Sequence, residues 1–488
     1  MAPISFSTLT LSVLVLALYV VARTRTWRRL VLLGANLGFI AASLTAPSEA
    51  LPLAAFLALG YLAAVSLSPR SRGPLVAGAI AALVALFVYL KQYAWLVVLP
   101  PLPLAYSVLG LSYMLFRVLH LIVDRVQGSL AAPPSLLDFV NYTCFFPCFV
   151  AGPIQRYEQF TASDYGLGIE QPPLARTTIA TAASRIVKGM FKCLVVAAGF
   201  DMLFVELSQD RLDASHLAAG GPLTILAYGG AASLYTLYLY YNFAGYTDVA
   251  VALGRLFGIG LPENFDRPFA ARNFLEFWSR WHISLSDWFR TYVYNPLAKA
   301  VLKRMRDKRA APFVSVATFF VTFLVMGLWH GTAAVFLYYG LFLGLGMSGN
   351  KLYQVVLLRR LGQRRYRALC ESVAYTALCR GMTFAYFALA LTCFWLDADR
   401  FAALAGALSP IGLLGAFAAV SVAAALVGLA LERASGAVAP LGRRIAAIAS
   451  SRSEHVAIGD AVLAGQILAL AALVTLFNGG PEFVYQRF

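Results

Sequence analysis

The sequence predicts an all-α polytopic membrane protein, from its composition, the recurrence of long apolar runs and the placing of its basic residues. Of its 488 residues, 60% are hydrophobic and 13% charged, against about 45–50% apolar and about 25% charged in ordinary soluble domains. A water-soluble fold is not expected at that ratio. Runs near 20 residues, enough to cross about 30 Å of hydrocarbon, recur along the chain at 7–22, 30–46, 51–68, 75–90, 95–116, 188–207, 221–243, 311–329, 333–349, 381–396, 404–430 and 457–478. A shorter run at 138–152 reads as re-entrant or partly buried. The expected architecture is a bundle of about 11 to 13 spanning or re-entrant helices, in a single membrane-embedded domain over 1–488. Within it, 1–95 and 351–480 read as N-terminal and C-terminal spans, 96–350 as a core, and 481–488 as a tail.

The formal charge of +16 does not imply nucleic acid, because the basic residues lie in short stretches between apolar runs rather than on one face of a soluble module. They fit the positive-inside rule. The first run is followed, not preceded, by Arg23, Arg25, Arg28 and Arg29. It therefore reads as a retained span with its N-terminus outside rather than a cleaved signal peptide. Counting spans then puts Arg70 and Arg72, Lys299–Arg309, Lys351–Arg367 and Arg433–Arg452 on the inner face. The short or acidic loops at Ser48 and Glu49, Asp210–Asp213 and Asp397–Asp399 fall outside, and so does the tail Pro481–Phe488. The expected location is a bacterial plasma (inner) membrane, multi-pass, with both termini extracytoplasmic. The six cysteines (Cys144, Cys148, Cys193, Cys370, Cys379 and Cys393) lie in or beside apolar segments without metal-type spacing. They read as small core residues, and no metal site is expected.

Residues 241–297, YNFAGYTDVAVALGRLFGIGLPENFDRPFAARNFLEFWSRWHISLSDWFRTYVYNPL, mix aromatics and charges too densely for a lipid-facing span. At about 100° per residue, Phe274, Phe277, Trp278, Trp281, Leu285, Trp288 and Phe289 share an arc of roughly 120°. Arg272, Glu276, Ser279, Arg280, Ser286, Asp287 and Arg290 fall opposite. This predicts one amphipathic helix at an interface or inside a polar cavity, with His282 on the rim between its faces. On the residues alone His282 reads equally well as an interface anchor.

The second candidate is MGLWHGT at 326–332, where His330 interrupts two apolar runs between Gly327 and Gly331. Glycines there allow close helix approach or a broken helix, and an ionisable residue between spans is costly enough to be a functional candidate by default. The plain alternative is a histidine donating to a backbone carbonyl at a helix turn. His120, His216 and His455, the other three of five histidines, lie near span ends or in loops and carry no comparable signal.

RWHISLSDWFRTYVYNPL at 280–297 followed downstream by GLWHG at 327–331 resembles the paired-histidine pattern of the membrane-bound O-acyltransferase (MBOAT) family. LGRLFGIGLPENFDRPF at 253–269 resembles the segment preceding it in the bacterial alginate and polysaccharide O-acetyltransferase branch. FFPCFVAGPIQRY at 145–157 and YNFAGYTDVA at 241–250 extend the likeness, which covers roughly residues 100–350. The resemblance implies an MBOAT-like helix bundle around a central tunnel, with His330 as the catalytic base and His282 as the second histidine. It implies a tunnel lining that includes Trp281, Trp329, Trp278 and Asn242; the family often has an aspartate where this chain has Asn242. Histidine, with an ordinary pKa near 6.5, suits acyl transfer from a thioester to a hydroxyl near neutral pH. The implied co-substrate is an acyl thioester, acetyl-CoA or an acyl carrier protein, with no bound cofactor.

The terminal PEFVYQRF reads plainly as an aromatic interface anchor. It also resembles the F-x-Y-x-x-F terminus of the polysaccharide-acylating branch, matched by Phe483, Tyr485 and Phe488, and the resemblance implies that Tyr485 relays the acyl group. The implied function is export of an acyl group, with acetyl expected, for O-acylation of an extracytoplasmic polysaccharide. The implied partners are an extracytoplasmic esterase-like (SGNH-type) acyltransferase and the polysaccharide synthesis and export machinery, with membrane lipid around the chain and no nucleic acid. The rival reading is a proton-coupled secondary transporter or flippase with His282 and His330 as a proton relay. It expects inverted halves with matching broken helices, and the sequence shows none.

Overall fold

The computed structural model describes residues 6–449 except 22–23, 94–99, 103–105, 168–174, 213–220 and 308–309, together with 464–469, 471–472 and 475. Among these the regular structure is helical: α1 (Phe6–Val21), α2 (Arg25–Ala41), α3 (Leu51–Ser66), α4 (Gly73–Lys91), α5 (Leu111–Val126), α6 (Leu136–Thr143), α7 (Tyr157–Ala162), α8 (Arg176–Phe191) and α9 (Ala198–Arg211) come first. Then follow α10 (Pro222–Leu256), α11 (Phe274–Trp278), α12 (Ile283–Phe289), α13 (Asn295–Arg304), α14 (Ala311–His330), α15 (Val335–Glu371), α16 (Val373–Ala390) and α17 (Ala398–Ala449). Among the described residues six helical stretches are long and apolar enough to cross a membrane: Pro47–Ser66, Gly73–Lys91, Ala311–His330, Val335–Glu371, Val373–Phe394 and Ala398–Ser435. The protein is an all-α, multi-pass membrane protein.

Three expectations change in detail. The run at 95–116 is not one span: 100–102 and 106–110 are not helical, and α5 starts only at Leu111. Pro100 and Pro101 withhold backbone donors and disfavour helix in the residues before them, and Gly110 turns the chain with φ +73°. The basic stretch 351–367 is the second half of α15 rather than a loop, kinked at Gly362 (φ +72°); arginine, leucine and glutamine are good helix formers. The helix expected over 272–290 is broken into α11 and α12. Its sidedness holds, however: every residue of the apolar arc from Phe274 to Phe289 is buried, and none of the seven polar residues opposite it is.

The chain packs as two compact units, and α10 contributes to both, its residues through Tyr241 to the second and those from Asn242 to the first. In the first unit the 138–152 segment is wholly or nearly buried as short helix and turn, so its backbone polar groups need partners. The buried Arg117 supplies them, donating to the carbonyls of Tyr142, Thr143 and Cys148 at 3.0–3.1 Å. Tyr246 donates its hydroxyl towards the carbonyls of Pro147 and Ala151, and Gln155 reaches the carbonyl of Gly260 at 2.7 Å. The motifs FFPCFVAGPIQRY and YNFAGYTDVA thus meet in space. His120 is not near a span end: it lies inside α5, wholly buried, with Nε2 2.6 Å from the Tyr142 hydroxyl. His216 and His455 lie outside the described residues. Cys144, Cys148, Cys193 and Cys393 are buried, whereas Cys370 and Cys379 are partly exposed.

In the second unit α14 and α15 pack as a helical hairpin through glycines. A Cβ on Gly340 would stand 2.6 Å from the Leu324 carbonyl oxygen, and one on Gly344 2.9 Å from that of Phe320. Such close approach lets two apolar helices gain dispersion contacts where lipid offers no hydrophobic drive. Helices α16 and α17 pack alongside, with α16 started by the Ser372 cap and continued by a tighter turn at Leu391–Phe394. This hairpin and that turn carry the site.

Candidate active site

His282 and His330 both belong to the second unit. His330 is the last residue of α14; the next residue, Gly331, is extended and ends the helix. Its ring is caged by aromatics from three elements, with Trp329, Tyr339 of α15 and Phe394 of the Leu391–Phe394 turn centred 4.9, 5.5 and 5.5 Å away, all edge-on. Tyr339 and Phe394 hold each other at 4.8 Å. Only 7% of His330 is exposed, so the ring is placed by packing and shielded from water.

His282 is reached by a different device. Asn273 caps α11 by accepting from the Glu276 amide, and Glu276 in turn accepts from Arg280 and from the Arg272 amide. A single antiparallel bridge pairs Phe265 with Trp281, and the Asp266 amide donates to the Arg280 carbonyl at 3.0 Å. This strap turns the chain so that His282 takes a left-handed conformation (φ +44°, ψ +54°) as the N-cap of α12. For a residue with a Cβ that region is sparsely populated and has to be held by its surroundings. The expectation of a rim position does not hold: His282 is 1% exposed. Burial, and then the charge of His330, push its imidazole well below the ordinary histidine range. His282 is therefore a neutral imidazole at neutral pH.

Trp281 is 3% exposed and lies against Phe277, Phe387 and Phe269, at 5.5, 4.8 and 6.2 Å. Trp278 is equally buried, 4.9 Å from Phe323 of α14. Since Phe323 stands seven positions before His330, Trp278 sits about 10 Å down the helix from that histidine's level. Trp329 is buried beside His330. Asn242 belongs to the first unit and is buried, with its carbonyl accepting the Cys193 thiol at 3.0 Å. Six residues on, Asp248 binds both Arg185 and Lys192. Tyr485, Phe483 and Phe488 lie outside the described residues. Tyr339, Phe394 and Phe387 escape a sequence reading because each sits in a run that looks only apolar; spacing carries no signal that such rings converge on a histidine.

A match to the family described as MBOAT, membrane-bound O-acyltransferase, covers residues 84–391. It runs through both histidines and through Trp329 and Tyr339 beside His330, and ends three residues before Phe394. The chain belongs to the membrane-bound O-acyltransferase family. Among similar MBOAT proteins is a teichoic acid D-alanyltransferase of Streptococcus thermophilus, 34% identical over 242 residues, 50% of this chain and 56% of that one. A teichoic acid D-alanyltransferase of Bacillus subtilis is 32% identical over 48% of this chain and 57% of its own length. A probable alginate O-acetylase of Pseudomonas syringae pv. tomato is 31% identical over 50% of this chain and 42% of its own. The chain spans about half the length of the curated relatives it matches. The two kinds of relative match it at similar identity, so the likeness carries the MBOAT family and not a choice between them.

Proposed function

We propose that this MBOAT protein is an O-acyltransferase that takes a small acyl group, acetyl first among the candidates, from a cytoplasmic thioester and passes it across the membrane to an extracytoplasmic polysaccharide. The observation that carries the reading is the burial of both histidines within the second unit, with His330 closed in by an aromatic cage. A neutral imidazole in a dry site can accept a proton, and dryness keeps the thioester from hydrolysis. His330 takes the proton of the attacking hydroxyl while the bond from oxygen to the acyl carbon forms. As the carbon–sulfur bond breaks, that proton returns to the leaving thiolate. His282 orients the donor or steadies the developing oxyanion. Trp281, Trp329 and Trp278 wall the passage.

The hydroxyl that attacks is assigned to Tyr485, which then carries the acyl group as a phenyl ester. An extracytoplasmic esterase-like transferase of the polysaccharide machinery completes the transfer. The same reading has the chain in a bacterial inner membrane with both termini outside. The names of the relatives make D-alanyl the second acyl group to test. Purified wild type and His330→Ala, incubated with acetyl-CoA or with acetyl and D-alanyl carrier-protein thioesters, test the reading through free thiol release. Wild type should consume at least one donor. Activity of His330→Ala within about threefold of wild type, roughly 0.7 kcal/mol of barrier, overturns it.

A further inference from the structure

The second unit holds a cleft of about 920 Å³ away from the histidines, between the first half of α10 and the stretch of α17 that ends at Ser435. The two helices meet at Gly229, where a Cβ would stand 2.9 Å from Val420 Cγ2. Further on, a Cβ on Gly428 would have nothing within 4 Å. From Ile225 to Tyr241 the cleft follows α10 for about 24 Å at 1.5 Å per residue. That is longer than one leaflet and within a hydrocarbon core about 30 Å thick. Its walls are largely alanine, glycine and leucine, and its rim is apolar and open, with Leu226, Val427 and Leu431 each more than half exposed.

The wide end is different in kind, because Arg267, Arg380 and Glu432 line it. Arg380 is ion-paired with Glu432 and donates to the Ala270 carbonyl. Arg267 has 84% of its side chain exposed, and its acidic neighbour Asp266, 3.5 Å away, lies equally close to Arg280. Arg280 has a nearer partner in Glu276 at 2.9 Å, so Asp266 is left to Arg267; of the two arginines against one glutamate that line this end, Arg267 is the one open to a ligand. Phe269, on the wall, packs 6.2 Å from Trp281, the residue before His282.

We propose that this cleft is a binding site for one anionic phospholipid, with an acyl chain lying along α10 and the headgroup phosphate held at Arg267 and Arg380. The acyl chain is taken by the apolar walls, and the arginines at the mouth select a net-negative headgroup over a zwitterionic one. An occupant braces Phe269 and through it the shell of Trp281. The site is independent of which acyl group is transferred.

Native mass spectrometry of the full chain in detergent, titrated with phosphatidylglycerol or phosphatidylcholine, tests it. Wild type should retain one phosphatidylglycerol about tenfold more tightly than phosphatidylcholine. Arg267→Glu should erase that preference, since reversing one charge counts twice. Gly428→Leu projects into the cleft from a Cβ that has nothing within 4 Å and replaces a poor helix former with a good one. It should weaken both lipids about tenfold while leaving the melting temperature unchanged or raised, which separates lost binding from lost folding. Equal retention of the two lipids by wild type overturns the headgroup assignment. Unaltered lipid binding by Gly428→Leu, or competition by millimolar glycerol phosphate as effective as that by the lipid, overturns the cleft. If Gly428→Leu does not accumulate, Arg267→Glu with an unchanged lipid preference overturns the proposal alone.

Discussion

Gly327 and Gly340 cross backbone to backbone: a Cβ added to Gly327 would fall on the Cα and nitrogen of Gly340. This crossing sets where His330, one turn later on α14, meets Tyr339 on α15. Gly327→Ala should therefore separate the hairpin, costing about 1–3 kcal/mol as overpacking does. Because the cage around His330 rests on the same crossing, thiol release should fall as well. A melting temperature and rate equal to those of wild type would show that the hairpin does not set the histidine.

His330→Ala should lower transfer by at least about a hundredfold, in the range that a general base contributes, while the purified protein keeps its helical circular dichroism. The ring is held by packing against Trp329, Tyr339 and Phe394, so His330→Phe fills more of the cage than alanine. It should melt nearer to wild type and remain inactive. Recovered activity in His330→Phe would point to packing rather than proton transfer.

His282→Asn and His282→Ala should part company. Asparagine tolerates the left-handed conformation that His282 adopts better than alanine does, so the asparagine variant should fold better. Both should reduce transfer, and by less than His330→Ala. An unchanged rate and donor affinity in His282→Asn would remove this histidine from the reaction.

His282 also predicts an acid sensitivity. Its folded pKa lies well below the ordinary value, while the unfolded chain takes up a proton near pH 6.5. Below that pH the unfolded state binds more protons, so stability falls as pH falls. The decline reaches about 1.4 kcal/mol per pH unit until the folded imidazole itself titrates. Thermal unfolding between pH 7.5 and 5 should show a shallower loss in His282→Asn than in wild type. Parallel curves would assign the sensitivity to other groups.

Tyr485→Phe should bind donor normally and export no acyl group, because it keeps the ring and removes only the oxygen. A phenol with pKa near 10 is a weak nucleophile at neutral pH and needs a base such as His330 as attack begins. Wild type given labelled thioester should carry label on its C-terminal peptide. Full polymer acylation by Tyr485→Phe would reduce the tail to an anchor and leave the His330 assignment standing.

The linear order of residues was enough to establish a multi-pass helical protein, the apolar and polar sides of 274–290, and the two histidines worth testing. Each rests on a local property: run length, helical periodicity, or an ionisable group set among apolar neighbours. Tertiary packing alone settled that Trp281 pairs with Phe265 and that His282 turns left-handed, because a strap between segments apart in the chain overrides the helical periodicity that runs through 282. It also settled the burial of His120 against Tyr142, and the convergence of Tyr339 and Phe394 on His330. Ring-to-ring distances of 5–6 Å arise where separate helices cross, and no spacing within one helix encodes which neighbour will stand opposite.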